Sequence, residues 1–338
     1  MKLLFSFLIL GSLTLSTPNN LKAMNIVPGG QNIGIEIKPG GLIVTGTYDV
    51  KQDSFTYNPA NDSDINKGDI IYKANSHIIK CIDDFTNVFK TECENSDEIN
   101  LGIKRNGKYH ERKLKIITSN GRFKTGLFVK ERILGIGTVS FYDEETKMYG
   151  ALGHEITDSS NNEIIDVDSG SIYESTVTSI KPSINANPGE KIADISFDMP
   201  LGDVAVNTPL GIYGQYEELP PNSNSLPLAE IEEVKLGTAE LLTVVNGNAI
   251  NRYQIEITNL KSQSSIDTKG ITFKVTDPNL LNKTNGIVAG MSGSPIIQNN
   301  KIVGAVTHVI VDNVTNGYAV YMKWMVETAK DIYIKYYK

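Results

Sequence analysis

The sequence predicts a mainly β protein of two domains that ends in a helix. Three observations support this prediction. The chain has 338 residues, a length that suits about two domains of roughly 100–200 residues each. Short runs of alternating apolar residues recur along it between turn residues, which is the pattern of strands. Over residues 322–336, Trp324, Met325, Ala329 and Ile332 recur at the spacing of one helix face.

The composition excludes several classes of protein. Hydrophobic residues make up 40% and charged residues 21% of the chain, which argues against a disordered, collagen-like or multi-spanning membrane protein. The net charge of -7 argues against nucleic-acid binding, which needs a basic face. Two cysteines are too few for a disulfide scaffold or a four-thiolate zinc site. The histidines lack the spacing of a helical metal motif, so we expect neither a metal nor an organic cofactor.

Residues 1–23 have the pattern of a secretory signal. Lys2 gives a positive start, and an apolar run extends from Leu3 to Leu15. A helix of that run would rise about 20 Å, which is short of the ~30 Å core of a bilayer. Residues 14–16 form only a loose cleavage site. We therefore expect the chain from residue 24 onward to be exported, with the leader either removed or kept as a marginal membrane anchor. The alternative is a buried N-terminal strand or helix.

The first predicted domain covers residues 24–118 and is rich in strands. A Gly-rich turn leads into a strand that places Ile33, Ile35 and Ile37 on one face. A second strand follows at residues 41–50, and a turn entering a strand occupies residues 67–75. Asn106-Gly107 favours the positive φ that both hairpin positions need. It therefore joins the strands predicted at 98–105 and 108–117.

One short helix is predicted within this domain. Asp83 can cap its first turn. Its apolar face has the i, i+3, i+4 residues Phe85, Val88 and Phe89. Cys81 and Cys93 lie on either side of it and could form a disulfide in an exported protein, but the sequence does not give their Cα separation.

The order of these elements over residues 26–118 resembles a PDZ domain. The resemblance implies that residues 32–35 form the carboxylate-binding loop and the start of the binding strand, and that residues 83–89 form the helix beside the groove. A peptide C-terminus would then be held by loop amides and would add a strand to an open sheet edge. The alternative is a small β-rich packing domain without a ligand. The implied peptide-binding residues are Ile33, Gly34 and Ile35.

The second predicted domain covers residues 119–338. Short strands with turn punctuation suggest a barrel or a sandwich, and the Pro- and Asn-rich stretch at residues 219–230 predicts a long surface loop between sub-barrels. The predicted strands are 135–142, 148–152, 174–180, 191–197, 204–213, 241–245, 251–258, 271–275, 294–297 and 302–311.

A serine between glycines, in the segment Gly290–Pro295, predicts a catalytic nucleophile. A serine in a turn that enters a strand has an exposed hydroxyl and free amides nearby. Acyl-bond hydrolysis needs both a nucleophilic oxygen and donors that face the developing oxyanion. The nucleophile would be Ser292. The alternative is a structural Gly-Ser turn.

His154 is the best candidate for the base that Ser292 needs. A free serine hydroxyl is a poor nucleophile until a base takes its proton. His154 follows the apolar stretch that ends at Leu152, where a loop should begin. The alternative is a buried structural histidine.

Two families share these motifs. The serine segment resembles the Gly-Asp-Ser-Gly-Gly-Pro box of chymotrypsin-like peptidases, although Met291 and Ser294 depart from it. A fuller resemblance is to the SpoIVB peptidases, which are stage IV sporulation proteins. It rests on Gly153-His154 followed by residues 156–158 and on Gly290–Pro295 running into Lys301–His308, all behind a leader and a PDZ-like domain.

The SpoIVB resemblance implies a serine endopeptidase with a chymotrypsin-like double β-barrel that acts between the forespore and mother-cell membranes. Its protein substrate would be the regulatory partner of an intramembrane metalloprotease, which then processes a late sigma factor. Self-cleavage near residues 17–60 is also implied. Two alternatives are a non-catalytic PDZ scaffold that binds a membrane partner, and a quality-control protease. In quality-control proteases the PDZ domain usually follows the peptidase.

The same resemblance assigns the site. It implies Ser292 as nucleophile, His154 as general base and Asp277 as the acid that fixes the imidazole. The oxyanion hole would consist of the amides of Gly290 and Ser292. From their place on the strand after the serine segment, Thr307 and His308 are candidates for the specificity pocket, and the alternative for His308 is a structural strand histidine. Asp158 and Asp194 compete with Asp277, which stands before Pro278 and could instead shape a turn.

Overall fold

The computed structural model describes residues 24–93, 96–119, 121–158, 163–221, 223–262 and 265–338. The predicted leader, residues 1–23, lies outside this part of the chain. Within it, no helix combines the length and the apolar character needed to cross a membrane.

The elements follow one another along the chain as short strands with few helices. The strands are β1 (Asn25–Pro28), β2 (Asn32–Lys38), β3 (Leu42–Thr47), β4 (Val50–Gln52), β5 (Phe55–Tyr57), β6 (Ile70–Ala74), β7 (His77–Ile78), β8 (Glu98–Arg105), β9 (Lys108–Lys115), β10 (Ile117–Ser119), β11 (Arg122–Lys124), β12 (Leu127–Lys130), β13 (Ile133–Tyr142), β14 (Met148–Leu152), β15 (Ser169–Lys181), β16 (Glu190–Asp203), β17 (Val206–Thr208), β18 (Gly211–Gln215), β19 (Leu226–Pro227), β20 (Gly237–Thr243), β21 (Asn251–Leu260), β22 (Ile271–Val275), β23 (Pro295–Gln298), β24 (Lys301–Val309) and β25 (Asn316–Tyr321). The helices are α1 (Pro59–Asp62), α2 (Ile82–Glu92), α3 (Pro278–Thr284) and α4 (Met322–Tyr336), with a 3-10 turn at Ile231–Glu233.

The small domain is a sheet in the order β12-β3-β6-β8-β9, with β7 beside β6. Helix α2 packs Phe85, Val88 and Phe89 into its core, as their spacing predicts. The helix begins one residue before Asp83, and the Asp84 carboxylate caps it by accepting from the amide of Cys81 at 3.2 Å. The hairpin at Asn106-Gly107 is confirmed, because it joins β8 to β9 with a positive φ at both positions.

Cys81 and Cys93 stand at opposite ends of α2 and are both free. Eleven helical residues rise about 16 Å, while a disulfide needs Cα atoms within about 7 Å. The two thiols therefore cannot pair while the helix is intact.

The structure corrects the role predicted for Ile33, Gly34 and Ile35. These residues lie in β2, which pairs with β13 along one edge and with β15 along the other. Ile33 is 0% exposed, and a Cβ at Gly34 would lie 2.4 Å from Ile195. The strand has no free edge for a peptide, so it cannot be the binding strand of a PDZ-like groove.

The domain boundary also differs from the predicted 24–118. Strand β2 belongs to the second domain, and β12, which follows the predicted boundary, pairs with β3 in the small sheet. The small domain thus runs from β3 to β12. It is inserted between β2 and β13, which are antiparallel neighbours with Ile37 opposite Ile133.

The rest of the chain forms two β layers together with the helices α3 and α4. One layer is a nine-stranded sheet whose main path is β16-β15-β2-β13-β14-β18-β17. A bridge between Gly202 and Tyr216 brings its ends together. The other layer is a closed barrel, β20-β21-β22-β25-β24-β23. Helix α4 packs Met325, Ala329 and Ile332 into a core shared by both layers. The predicted mainly β fold with a C-terminal helix is confirmed.

Candidate active site

His154 lies two residues after the end of β14, where the chain turns sharply. Leu152 and Gly153 have positive φ values of 73° and 71°, so the strand ends there and the side chain of the next residue leaves the sheet. The Nδ1 of His154 donates to the carbonyl of Glu155 at 2.8 Å. In a neutral ring this bond leaves Nε2 unprotonated and able to accept a proton.

Ser292 lies in a tight loop, Gly290–Ser294, which we call the serine loop. Gly290 and Gly293 have φ values of 91° and 93°, a region that favours glycine. A Cβ at Gly293 would also lie 2.0 Å from the carbonyl oxygen of Thr138. The glycines that flank the serine are therefore required by backbone conformation and, at Gly293, by close approach to β13.

The serine loop is tied to β13 and β24. The amide of Thr138 donates to the carbonyl of Ser292 at 3.0 Å, and its hydroxyl donates to the carbonyl of Gly290 at 2.8 Å. The amide of Gly293 donates to the carbonyl of Val306 at 2.7 Å. Thr138 was not predicted as a site residue, because its place beside the serine loop depends on strand pairing.

Two amides of the serine loop have no acceptor within the described residues. The amides of Met291, Gly293 and Ser294 all donate to backbone carbonyls, whereas those of Gly290 and Ser292 do not. These are the two amides that the family resemblance implies for an oxyanion hole.

Ser292 and His154 line the same cleft, which has a volume of about 330 Å³. Its walls are mostly apolar and come from β2, β13 and the residues around both side chains. The Ser292 hydroxyl donates to the carbonyl of Thr307 at 3.0 Å rather than to the imidazole. Rotation of the Ser292 side chain about χ1 would turn its hydroxyl away from the carbonyl of Thr307 and toward another part of the cleft. The structure therefore brings the predicted nucleophile and base to one cleft.

His308 is the immediate neighbour of His154, with ring centroids 5.1 Å apart. His308 is partly exposed, but desolvation, followed by the proximity of His154, lowers the pKa of His308 to about 4. His308 is therefore neutral near pH 7 and places no positive charge beside the imidazole of His154.

Asp277 is not brought to His154. It is the N-cap of α3, and one carboxylate oxygen accepts from the amides of Asn279 and Leu280 at 2.8 and 3.1 Å. The other accepts from the amide of Gln254 at 3.3 Å. Among the described contacts, none joins this carboxylate to the imidazole. The predicted triad is thus not assembled here, because the capping geometry that Asp-Pro favours takes up the carboxylate.

Among the described contacts, neither competing acid is brought to the imidazole. Asp194 lies on the exposed face of β16, and Asp158 lies four residues after His154, where its amide donates to the carbonyl of Glu163. Neither lines the described part of the cleft. The carbonyl of Glu155 occupies the Nδ1 position that an acid would otherwise take.

A serine loop and an imidazole that share a cleft between two β layers define the class: the molecule is a β-barrel serine peptidase. The family can be stated more closely. The model of the SpoIVB peptidase S55 family matches residues 121–326, more than half of the chain, and the chain belongs to that family. It is therefore a serine endopeptidase.

Solved structures give a weaker likeness. The active form of the Rv3671c protease from M. tuberculosis is 16% identical, with a TM-score of 0.34 over 59% of this chain and 74% of that one. The inactive form of the same protease is also 16% identical, with a TM-score of 0.31 over 58% and 84% of the two chains. Scores this low add no argument about function. No curated protein matches the chain.

Proposed function

We propose that this endopeptidase acts in sporulation signalling, as the family implies. It would be exported into the space between the forespore and mother-cell membranes and cut the regulatory subunit of an intramembrane metalloprotease complex. That protease would then process a late sigma factor. The observation that supports peptide-bond hydrolysis is the shared cleft of Ser292 and His154.

The cleft suits an extended polypeptide. The amide of Val139 donates to Gln31 on the β2 side, and the backbone groups of an antiparallel strand alternate between its two edges. Leu134 and Ile136 therefore turn their amides and carbonyls away from β2. Both residues line the cleft beside Ser292, so a substrate chain could add there as a strand.

In the proposed reaction, the Ser292 hydroxyl leaves the carbonyl of Thr307 and turns toward His154. Nε2 takes the proton as the serine oxygen attacks the scissile carbonyl carbon, while Nδ1 keeps its bond to the carbonyl of Glu155. The oxyanion is stabilised by the amides of Gly290 and Ser292. The imidazolium then protonates the leaving amine. In the second half, His154 takes a proton from the water that attacks the acyl-enzyme and gives it to the Ser292 oxygen as the second product leaves.

Two further roles belong to the proposal. Self-cleavage near residues 17–60 would trim the chain, and the N-terminal segment could hold it at the membrane until then. The binding of peptide C-termini by the small domain stays a prediction, with β2 excluded as its site.

The test is Ser292→Ala beside Ser96→Ala, which changes an exposed serine of the small domain. We expect Ser292→Ala to lose cleavage of the regulatory subunit and any N-terminal trimming by a factor of about 1,000 or more. The Ser96 variant should match the wild type. A fluorophosphonate probe should label the wild type and the Ser96 variant but not Ser292→Ala. An unlabelled wild type would indicate a non-catalytic scaffold.

A further inference from the structure

Lys191 is a buried lysine directly behind the serine loop. It is the second residue of β16 and is 4% exposed, although lysine is almost never buried without a partner. Its amide donates to the carbonyl of Ala289 at 2.9 Å, which places it beside the residue that precedes the loop. The sequence predicts only a strand at this position, so nothing there separates Lys191 from the exposed lysines.

The Lys191 ammonium contacts three oxygen atoms from three different strands. These are Oδ1 of Asn32 at 3.3 Å, Oγ1 of Thr138 at 3.4 Å and Oγ1 of Thr243 at 3.2 Å, from β2, β13 and β20. An ammonium has three donors, so this set matches its protonated form. No carboxylate among the described residues pairs with it.

The same oxygens connect Lys191 to both ends of the serine loop. The Thr138 hydroxyl donates its own proton to the carbonyl of Gly290, which leaves its lone pairs for the ammonium. The Thr243 hydroxyl accepts from the hydroxyl of Ser294 at 3.0 Å. Lys191 is thus linked to Gly290, the first residue of the loop, through the Thr138 hydroxyl, and to Ser294, the last residue, through the Thr243 hydroxyl.

The lysine side chain also covers the loop directly. A Cβ at Gly290 would lie 3.1–3.2 Å from the side-chain carbons of Lys191. Gly290 is therefore packed against the lysine stem, and its amide is one of the two proposed for the oxyanion hole.

We propose that Lys191 is a positioning residue of the peptidase, whose protonated amine joins three strands beneath the serine loop and holds the Gly290 and Ser292 amides in the geometry that binds the oxyanion. This inference rests on the proposed function of Ser292. Lys191 acts through Thr138 and Thr243 and does not touch the reacting atoms.

The charge of Lys191 makes this role dependent on pH. Asn32, Thr138 and Thr243 face it from the neighbouring strands and carry no charge, and Glu190 on its own strand pairs with Lys181 at the surface. Burial alone lowers the pKa of Lys191 from 10.5 to about 7. The fraction of enzyme with the protonated amine, and with it the proposed positioning, therefore falls as the pH rises above about 7.

Fold stability responds to pH in the opposite direction. The folded-state pKa of Lys191 lies below its unfolded value, so between about pH 7 and 10 the unfolded chain binds more protons and stability rises with pH. If Lys191 were purely structural, the melting temperature would still change with pH over this range, but activity would not fall over the same range. Opposite slopes in activity and stability would mark a positioning role.

The first test is Lys191→Met, measured on the full chain with a peptide substrate and compared with Lys181→Met on the neighbouring strand. We expect kcat to fall at least tenfold with KM changed less than threefold, together with loss of the decline in kcat/KM above about pH 7. Lys181→Met should keep both values and the decline. Unchanged kcat and an unchanged pH profile in Lys191→Met would overturn the proposal.

The second test holds even where Lys191→Met fails to fold. Asn32→Asp places a carboxylate beside the ammonium, and the hydroxyl of Ser175, which now accepts from Asn32 at 2.9 Å, can donate to it instead. We expect the decline in kcat/KM to move up by about one pH unit or more. Asn87→Asp, the same change at an exposed site on α2, should not move it. An unmoved decline in Asn32→Asp would also overturn the proposal.

If the wild type reacts with fluorophosphonate, these failures concern Lys191 alone. A wild type that does not react would refute the proposed function itself.

Discussion

The two sides of the cleft are held in different ways. The serine loop is fixed from inside the peptidase by buried contacts to β13 and β24. His154 lies in the segment 153–168, of which the structure describes all but residues 159–162. From within the peptidase, the Asn207 side chain forms hydrogen bonds to the backbone of Ile156 and Ile165 in this segment. The segment is also held by ion pairs of Asp166 with Lys104 and of Asp168 with Lys80, both on the small domain. Among the described residues, the contacts that fix the nucleophile come from the peptidase, whereas the base side is also in contact with the small domain.

On the serine side of the cleft, we expect the largest loss of activity from Thr138→Val. It leaves the carbonyl of Gly290 without its buried donor, which costs about 1–3 kcal/mol of folding stability, and it frees the serine loop. We expect kcat to fall about tenfold or more, since small displacements of reacting groups are costly. Thr178→Val, at an exposed threonine that donates to the carbonyl of Ile192, is the control. Activity within twofold of the wild type would show that the loop keeps its geometry without Thr138.

Asp277 offers a test of the acid. Because this residue is an N-cap, its replacement by alanine should cost about 1 kcal/mol of folding stability, while an asparagine in its place should cap nearly as well. We therefore expect Asp277→Asn to keep its melting temperature and most of its activity. A loss of about 1,000-fold or more in kcat with an unchanged melting temperature would instead identify a triad acid, as the family resemblance implies. It would also show that α3 moves when substrate binds.

The smallest effect should come from the ion pairs to the small domain. Asp166→Asn with Asp168→Asn removes two partly exposed pairs, each worth about 1 kcal/mol or less. We expect kcat/KM to change less than about threefold and the wild-type value to approach the variant's at high salt. Asp198→Asn, at an exposed carboxylate on β16, is the matched control. A change above tenfold would show that the small domain sets the position of His154.

Features fixed by local chemistry could be predicted from the sequence. The helix at residues 322–336 follows from its apolar spacing, and the hairpin at Asn106-Gly107 follows from the φ values that these residues tolerate. Ser292 and His154 could be chosen because the two motifs occur together, although each alone also fits a structural role, as a turn or as a buried histidine. Their arrival in one cleft is a result of the fold.

Features fixed by distant pairing could not be predicted. The alternation of Ile33, Ile35 and Ile37 predicts a strand but does not say which sheet it joins, and its partners are residues 133–138 and 169–174. Lys191 gives no signal in the sequence, because strand lysines are ordinarily exposed and three distant strands create its burial. An aspartate before a proline, such as Asp277, can serve either as a helix cap or as a catalytic acid. In the structure Asp277 caps α3, which is closer to the alternative interpretation as a turn residue.

The insertion of the small domain between β2 and β13 has a consequence for how the protein could be built and processed. The chain leaves the large sheet near Ile37 and re-enters it near Ile133, and these two residues are paired. The small domain therefore takes the place of the turn in what would otherwise be a β-hairpin of β2 and β13. Long insertions at such a point add little loop-closure entropy. A cut between residue 38 and the start of β3 would sever the backbone while the central strand stayed bound by its two neighbours, so the peptidase would persist as a nicked, non-covalent assembly.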